Sequence, residues 1–255
     1  CPRLYLNGWQ FFLEHAELRP GVRLPCWIQD ATRRAFWRHQ KLIEGVERML
    51  QGRHVGEDTP EALNARREVV LRDDWELVKL FLSPKGSVTR LHYDNGQAHA
   101  WLTQLRGRKL FVCYPPEDGE FLSARDSSSP IDPLAVGNEQ RWAGYEHTTP
   151  LVTILEEGDT ILVPVGVWHY AVSLTPSITL MRNFWTPQTV HHWVERKEDE
   201  AARVAASILQ KGGNAKLKGR PLSVLQEFCK RVMFAKLKLQ IDSSEENHAL
   251  EGILT

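Results

Sequence analysis

With 32 lysines and arginines set against 32 aspartates and glutamates, the 255-residue chain carries no formal net charge. That balance argues against a surface built for nucleic acid or anionic lipid, and no apolar run approaches the ~18 residues that cross a bilayer. At 42% hydrophobic and 25% charged, the chain reads as globular and long enough to bury a sizeable core, as one large domain or one domain with an appendage. Four scattered cysteines (Cys1, Cys26, Cys113, Cys229) form no CxxC pair. They suit reduced thiols in an intracellular protein, cytoplasmic or nuclear, and exclude a cysteine-rich zinc module. The chain starts at Cys1-Pro2-Arg3 without an initiator Met, which reads as a piece of a longer protein.

In chain order, residues 3–6 predict a short strand closed by Asn7-Gly8. Residues 10–51 turn helical, with apolar side chains at three- and four-residue steps over 35–50, and the polar stretch 52–67 predicts a loop. Residues 68–71, 75–82, 87–93, 98–104 and 109–114 are rich in Val, Leu, Phe and Trp and predict strands. Turn residues separate them at Asp73-Asp74, Pro84-Lys85-Gly86, Asn95-Gly96 and Arg106-Gly107. Residues 115–146 form a long polar insertion, read as a surface loop or lid. Strands return over 151–155, 161–164, 170–174 and 178–184, and helical pattern resumes after Pro187. Many short strands at close spacing predict an all-β sandwich or barrel flanked by helices.

One segment carries chemistry: Thr89-Arg90-Leu91-His92-Tyr93-Asp94. Residues two apart on a strand share a face, so His92 and Asp94 are expected to project side by side. His169, in Gly166-Val167-Trp168-His169-Tyr170, is the candidate third ligand. Two imidazoles and one carboxylate, with the other positions open, form the facial triad of non-haem Fe(II) oxygenases. An HxD triplet alone is a weak signal. Its company gives it weight: Thr89 three residues before His92, a Gly107-Arg108-Lys109 turn into a strand ending at Pro115-Pro116, Gly144-Tyr145-Glu146, Gly158-Asp159, Trp168-His169 and Asn183-Phe184-Trp185.

In this combination, from Arg3 to Trp185, the sequence resembles the JmjC-type, cupin-like 2-oxoglutarate oxygenases, and among them the asparaginyl hydroxylases. The resemblance implies a mainly β fold: a double-stranded β-helix (jelly roll, cupin-like) core with flanking N-terminal and C-terminal helices. It implies a catalytic domain over 1–187 and a C-terminal helical region over 188–255. It also implies Fe(II) held by His92, Asp94 and His169, with 2-oxoglutarate as co-substrate. Lys109 would pair with the distal carboxylate, Thr89 and Tyr5 would donate hydroxyls to it, and Asn183 would place an amide nearby. The physical sense is direct, because a buried carboxylate needs a cation and hydrogen-bond donors to offset its desolvation. The implied reaction is hydroxylation of a protein side chain, releasing succinate and CO2. A protein or peptide substrate would lie in a groove bordered by 10–51 and 115–146. Other readings stay open: a cupin-fold binding protein without turnover, a metal-dependent cupin isomerase or hydrolase, an N-methyl-lysine demethylase, or a small-molecule hydroxylase.

His99 lies on a strand expected to face the site, with a structural role favoured over substrate contact. Trp168 and Trp185 read as core walls, and His191-His192 as surface residues. Residues 188–210 place Val190, Trp193, Val194, Ala201, Val204, Ala205 and Ile208 on one helical face, and a second amphipathic helix opens at Pro221. Its lysines and arginines read as a solvated face. The resembling hydroxylases dimerise through C-terminal helices, which implies a homodimer through 188–240.

Overall fold

The side chains that meet between two β-sheets are chosen by strand alternation, and that choice positions the site. The computed structural model describes residues 4–22, 28–37, 40–41, 44 and 59–192. The chain divides into two compact units, one of residues 1–27 with 75–185 and the other of 28–74 with 186–255. From residue 193 onward, the expected C-terminal helices and the dimer contact lie outside the described residues, as do Cys1, Cys26 and Cys229.

Among the described residues the first unit holds nine strands: β1 (Leu6–Trp9), β2 (Val78–Ser83), β3 (Val88–His92), β4 (His99–Arg106), β5 (Lys109–Tyr114), β6 (Leu151–Leu155), β7 (Thr160–Val163), β8 (Trp168–Ser173) and β9 (Ser177–Phe184). They pair antiparallel in a five-stranded sheet, β1-β2-β9-β4-β7, and a four-stranded sheet, β3-β8-β5-β6. From β2 to β5 and again from β6 to β9, each successive strand crosses to the other sheet. This is the double-stranded β-helix that the resemblance implies.

Ala100 and Leu102 of β4, Phe111 of β5, Leu155 of β6, Val163 of β7, Ala171 of β8 and Met181 of β9 pack as one buried cluster. Burying a side chain such as Phe111 or Met181 contributes about 1.5–3 kcal/mol each. A second cluster lies on the opposite face of the four-stranded sheet, where Leu91, Val112, Tyr114, Trp168 and Tyr170 meet Leu122 and Ile131.

Those last two residues correct the reading of 115–146 as a surface loop or lid. Leu122 and Ile131 are buried, and the segment carries 3-10 helices at Pro116–Glu120 and Tyr145–His147 and an α-helix at Asn138–Arg141. It also pairs with β3: Tyr93 N donates to Ser127 O at 3.0 Å and Ser129 N to Leu91 O at 2.9 Å. Two apolar anchors scattered among Ser, Asp and Gly carry no periodic signal. They nonetheless fasten the segment.

Three other expectations are corrected. Residues 68–71, read as a strand, lie inside the helix Pro60–Glu76, which also takes in Asp73-Asp74 and the end of the expected 52–67 loop. Val69-Val70-Leu71 mimics a strand, but the helix start was written at Thr59-Pro60-Glu61. Thr59 Oγ1 accepts from Ala62 N at 3.2 Å, and Pro suits the first helical position. Within the second unit, Asp74 is buried and accepts from Arg33 Nε at 2.8 Å, while Arg66 Nη2 donates to Glu44 Oε2 at 2.7 Å. The first strand runs through Asn7-Gly8 instead of ending there; its register with β2 breaks between Leu6 and Trp9, and Gly8 takes the positive φ of 74° found there. The helical stretch expected over 10–51 is interrupted: Phe11–Glu14 and the 3-10 helix Ala16–Gly21 give way at Pro20-Gly21, and helix resumes over 32–37. Among the described residues, no helix is long and apolar enough to cross a membrane.

Candidate metal centre

His92 closes β3 and His169 follows the first residue of β8, and the two are direct cross-strand partners. Their rings stand 4.2 Å apart. Asp94 lies two residues beyond the end of β3, in irregular backbone and not on the strand as expected. It still converges with the histidines: one ligand atom from each of His92, Asp94 and His169 falls within 4.8 Å of the others.

The protonation of both rings follows from their acceptors. His92 Nδ1 contacts Arg90 O at 2.8 Å and His169 Nδ1 contacts Val167 O at 3.1 Å. A carbonyl oxygen only accepts, so each Nδ1 carries a proton and Nε2 is the ring atom that each histidine can offer a metal. Burial, and then neighbouring His92, pull the His169 pKa down to about 4, which keeps that ring neutral near pH 7. Asp94 Oδ2 accepts from Asn183 Nδ2 at 2.9 Å, so a side chain of β9 orients the carboxylate. Oriented by second-layer hydrogen bonds, two imidazoles and a carboxylate fit a divalent first-row metal.

The remaining expected residues gather further down the same inner face. On β8, His169, Ala171 and Ser173 alternate onto one side, opposite Cys113, Phe111 and Lys109 of β5. Thr89 pairs with Ala171, and His92 with His169, although His92 lies three positions after Thr89 and their partners lie only two positions apart. An extra residue therefore bulges out of β3. Without it, Thr89 and His92 would point to opposite faces. Thr89 Oγ1 shares a hydrogen bond of 2.9 Å with Tyr5 Oη. Burial raises the Tyr5 pKa, against a lowering by this bond, so the phenol stays protonated.

Lys109 is 4% exposed, and burial pulls its pKa down to about 8. Among the described residues its hydrogen-bond partner is a neutral hydroxyl, Thr179 Oγ1 at 2.7 Å, and its ammonium also lies 5.8 Å from the centre of the Phe81 ring. No carboxylate pairs with it there. A buried cation without a counter-ion suits an anionic ligand.

Thr179 and Gln104, both fully buried beside Lys109, are the polar residues that the sequence reading missed. Alternation along β9 puts Thr179 on one face with Met181 and Asn183, but nothing local marks either Thr179 or Gln104 as a partner of Lys109. Cys113, the cross-strand neighbour of His169, has its pKa raised to about 11 by burial and remains a thiol. His99 does not face the triad. It pairs with Phe184, on the side of β4 opposite Ala100, whose partner is Asn183, and it stacks on the Phe184 ring at 5.2 Å. Trp168 and Trp185 are buried, with Trp185 Nε1 donating to Gly96 O at 2.8 Å, and His191 and His192 are exposed.

Residues 31–190 match the cupin-like domain family. The 2-oxoglutarate and iron-dependent oxygenase JMJD4 of Gallus gallus is 30% identical over 125 residues, 48% of this chain and 29% of that protein. The arginine-specific demethylase JMJ20 of Arabidopsis thaliana is 29% identical over 182 residues, 71% of this chain and 36% of that protein. HSPB1-associated protein 1 of Homo sapiens is 28% identical over 135 residues, 51% of this chain and 26% of that protein. The chain thus spans roughly a quarter to a third of the length of these relatives. With its two-sheet core, its converging His-Asp-His set and a family match across both, the chain belongs to the cupin-like domain family, JmjC type.

Proposed function

We propose that this chain is the core of an Fe(II)- and 2-oxoglutarate-dependent oxygenase that hydroxylates a polypeptide side chain. The observation that carries the proposal is the meeting, on one inner face, of the converging His92/Asp94/His169 set and the buried Lys109, which has no counter-ion among the described residues. His92, Asp94 and His169 hold the metal, and Asn183 keeps the Asp94 carboxylate turned toward it. Lys109 receives the distal carboxylate of 2-oxoglutarate, with the Tyr5 and Thr89 hydroxyls as further donors. Bound iron supplies a site at which O2, 2-oxoglutarate and a substrate C–H are converted to succinate, CO2 and a C–OH. The apolar wall of Phe111, Ala171 and Met181 keeps water from the Lys109 end, which strengthens the charge pairing there.

Relatives named as arginine-specific and lysine-specific demethylases support an amino-acid side chain as the target. The free thiol of Cys113 fits an intracellular, reducing compartment. The amphipathic pattern over 188–240 supports a homodimer through a C-terminal region, with 1–187 as the catalytic domain; light scattering giving a monomer at micromolar concentration would refute the dimer.

The test is turnover of 2-oxoglutarate by the intact chain with Fe(II), with peptides followed by mass spectrometry. Succinate release and a one-oxygen gain on a peptide are expected. Formaldehyde release from methylated peptides would move the reading to a demethylase. No succinate under any condition would leave a cupin-fold binding protein.

A further inference from the structure

A hydrogen-bonded chain crosses the sandwich from Lys109. Its Nζ donates to Thr179 Oγ1 at 2.7 Å, Thr179 donates to Gln104 Oε1 at 2.9 Å, and Gln104 Nε2 donates to Arg106 O at 2.6 Å. The direction of every link is fixed by chemistry. The Arg106 carbonyl only accepts, so the Gln104 amide turns its nitrogen there and its oxygen toward Thr179. The Thr179 proton therefore goes to Gln104, and the Thr179 lone pairs are left for an ammonium that can only donate. Gln104 and Thr179 are direct cross-strand partners on β4 and β9, each with 0% exposure and so sealed from bulk water. Core packing does not require them: an apolar side chain of the same size would fill either place without desolvating a polar group.

We propose that Gln104 and Thr179 are positioning residues for the co-substrate. They hold the Lys109 ammonium at a set depth between the sheets, with two of its three hydrogens left for the distal carboxylate. This deepens the oxygenase reading and rests on it, since Lys109 must meet that carboxylate. A set depth also sets the length of diacid that bridges from the His92/His169 row to Lys109. Loss of the chain should loosen length selection as well as affinity.

The experiment titrates 2-oxoglutarate and the one-carbon-longer 2-oxoadipate into the full chain loaded with Mn(II). Thr179→Val keeps the shape and removes the acceptor, Thr179→Ser keeps the hydroxyl, and Gln104→Met removes the anchor of that hydroxyl. Thr179→Val should weaken 2-oxoglutarate binding about tenfold, the loss expected when a hydrogen bond to a charged group is removed. It should also narrow the preference over 2-oxoadipate while leaving Mn(II) affinity unchanged. Gln104→Met should shift both readouts in the same direction, and Thr179→Ser should restore both to near the parent values. The proposal is overturned if Thr179→Val and Gln104→Met bind both diacids as the parent does. It is equally overturned if Mn(II) binding falls in parallel, which marks general damage, or if Thr179→Ser fails to restore. Lys109→Met separates the two levels. If it binds 2-oxoglutarate as the parent does, the co-substrate reading itself fails; if it loses binding while Thr179→Val keeps it, only the positioning role fails.

Discussion

His92 on β3 and His169 on β8 face each other as one cross-strand pair, each ring pinned through Nδ1 to the carbonyl two residues before it. The shared i to i−2 bond turns both rings the same way and leaves Nε2 as the atom that each can offer a metal. Among the described residues Asp94 has no such backbone tether. Its orientation depends on Asn183.

Asn183→Ala should therefore weaken divalent-metal binding by about 10- to 100-fold, the range seen when an outer-layer partner of a ligand is removed. Calorimetric titration of Mn(II) checks this. Unchanged affinity would show that Asp94 finds its orientation without the amide.

Lys109 predicts a pH dependence of stability. Its folded-state pKa, lowered by burial to about 8, lies below its ordinary 10.5, so the unfolded chain binds more protons between those values. Stability should rise with pH across that window, and the burden of the charged lysine is present in full below pH 8. A shift of that size corresponds to about 3 kcal/mol. Lys109→Met should remove the slope, raise stability near neutral pH and abolish 2-oxoglutarate binding. Urea unfolding at pH 7 and pH 10 measures it; an identical slope in the variant contradicts the assignment.

Leu122→Ala tests whether residues 115–146 belong to the fold. Leu122 has 0% exposure beside Leu91, Trp168 and Tyr170, so truncation should cost about 2–5 kcal/mol in denaturant unfolding. A loss below half a kcal/mol, as expected on a solvated lid, would return the segment to a loop.

Gly107 should resist substitution. It turns β4 into β5 at φ 72°, and a Cβ there would run into the backbone oxygen of Pro176. Gly107→Ala should lower the melting temperature and, because Lys109 begins two residues later, weaken 2-oxoglutarate binding as well. A variant melting like the parent would show that the turn relaxes freely.

The strands were legible because Val, Leu, Phe and Trp cluster between clear turn pairs, and His92, Asp94, His169 and Lys109 were legible through their surrounding motifs. What was hidden depends on contacts distant in sequence. The bulge in β3 is visible only against β8, yet it decides that Thr89 shares a face with His92. The strand expected at 68–71 lies in the helix Pro60–Glu76 because a three-residue apolar run such as Val69-Val70-Leu71 is ambiguous on its own. Thr179 and Gln104 gain their meaning only from Lys109, which reaches across the sandwich to Thr179 and through it to Gln104. Asn183, expected near the co-substrate, proves to touch Asp94.

The proposed function requires that His92, Asp94 and His169 together hold one Fe(II) and that 2-oxoglutarate bind beside it. Visible absorption of the intact chain under anaerobic conditions tests it most directly, since an Fe(II)–2-oxoglutarate chelate has a charge-transfer band that neither component shows alone. The band should appear on adding both to the parent chain and be absent from Asp94→Ala. A band of equal strength in Asp94→Ala, or none in the parent, would contradict the account.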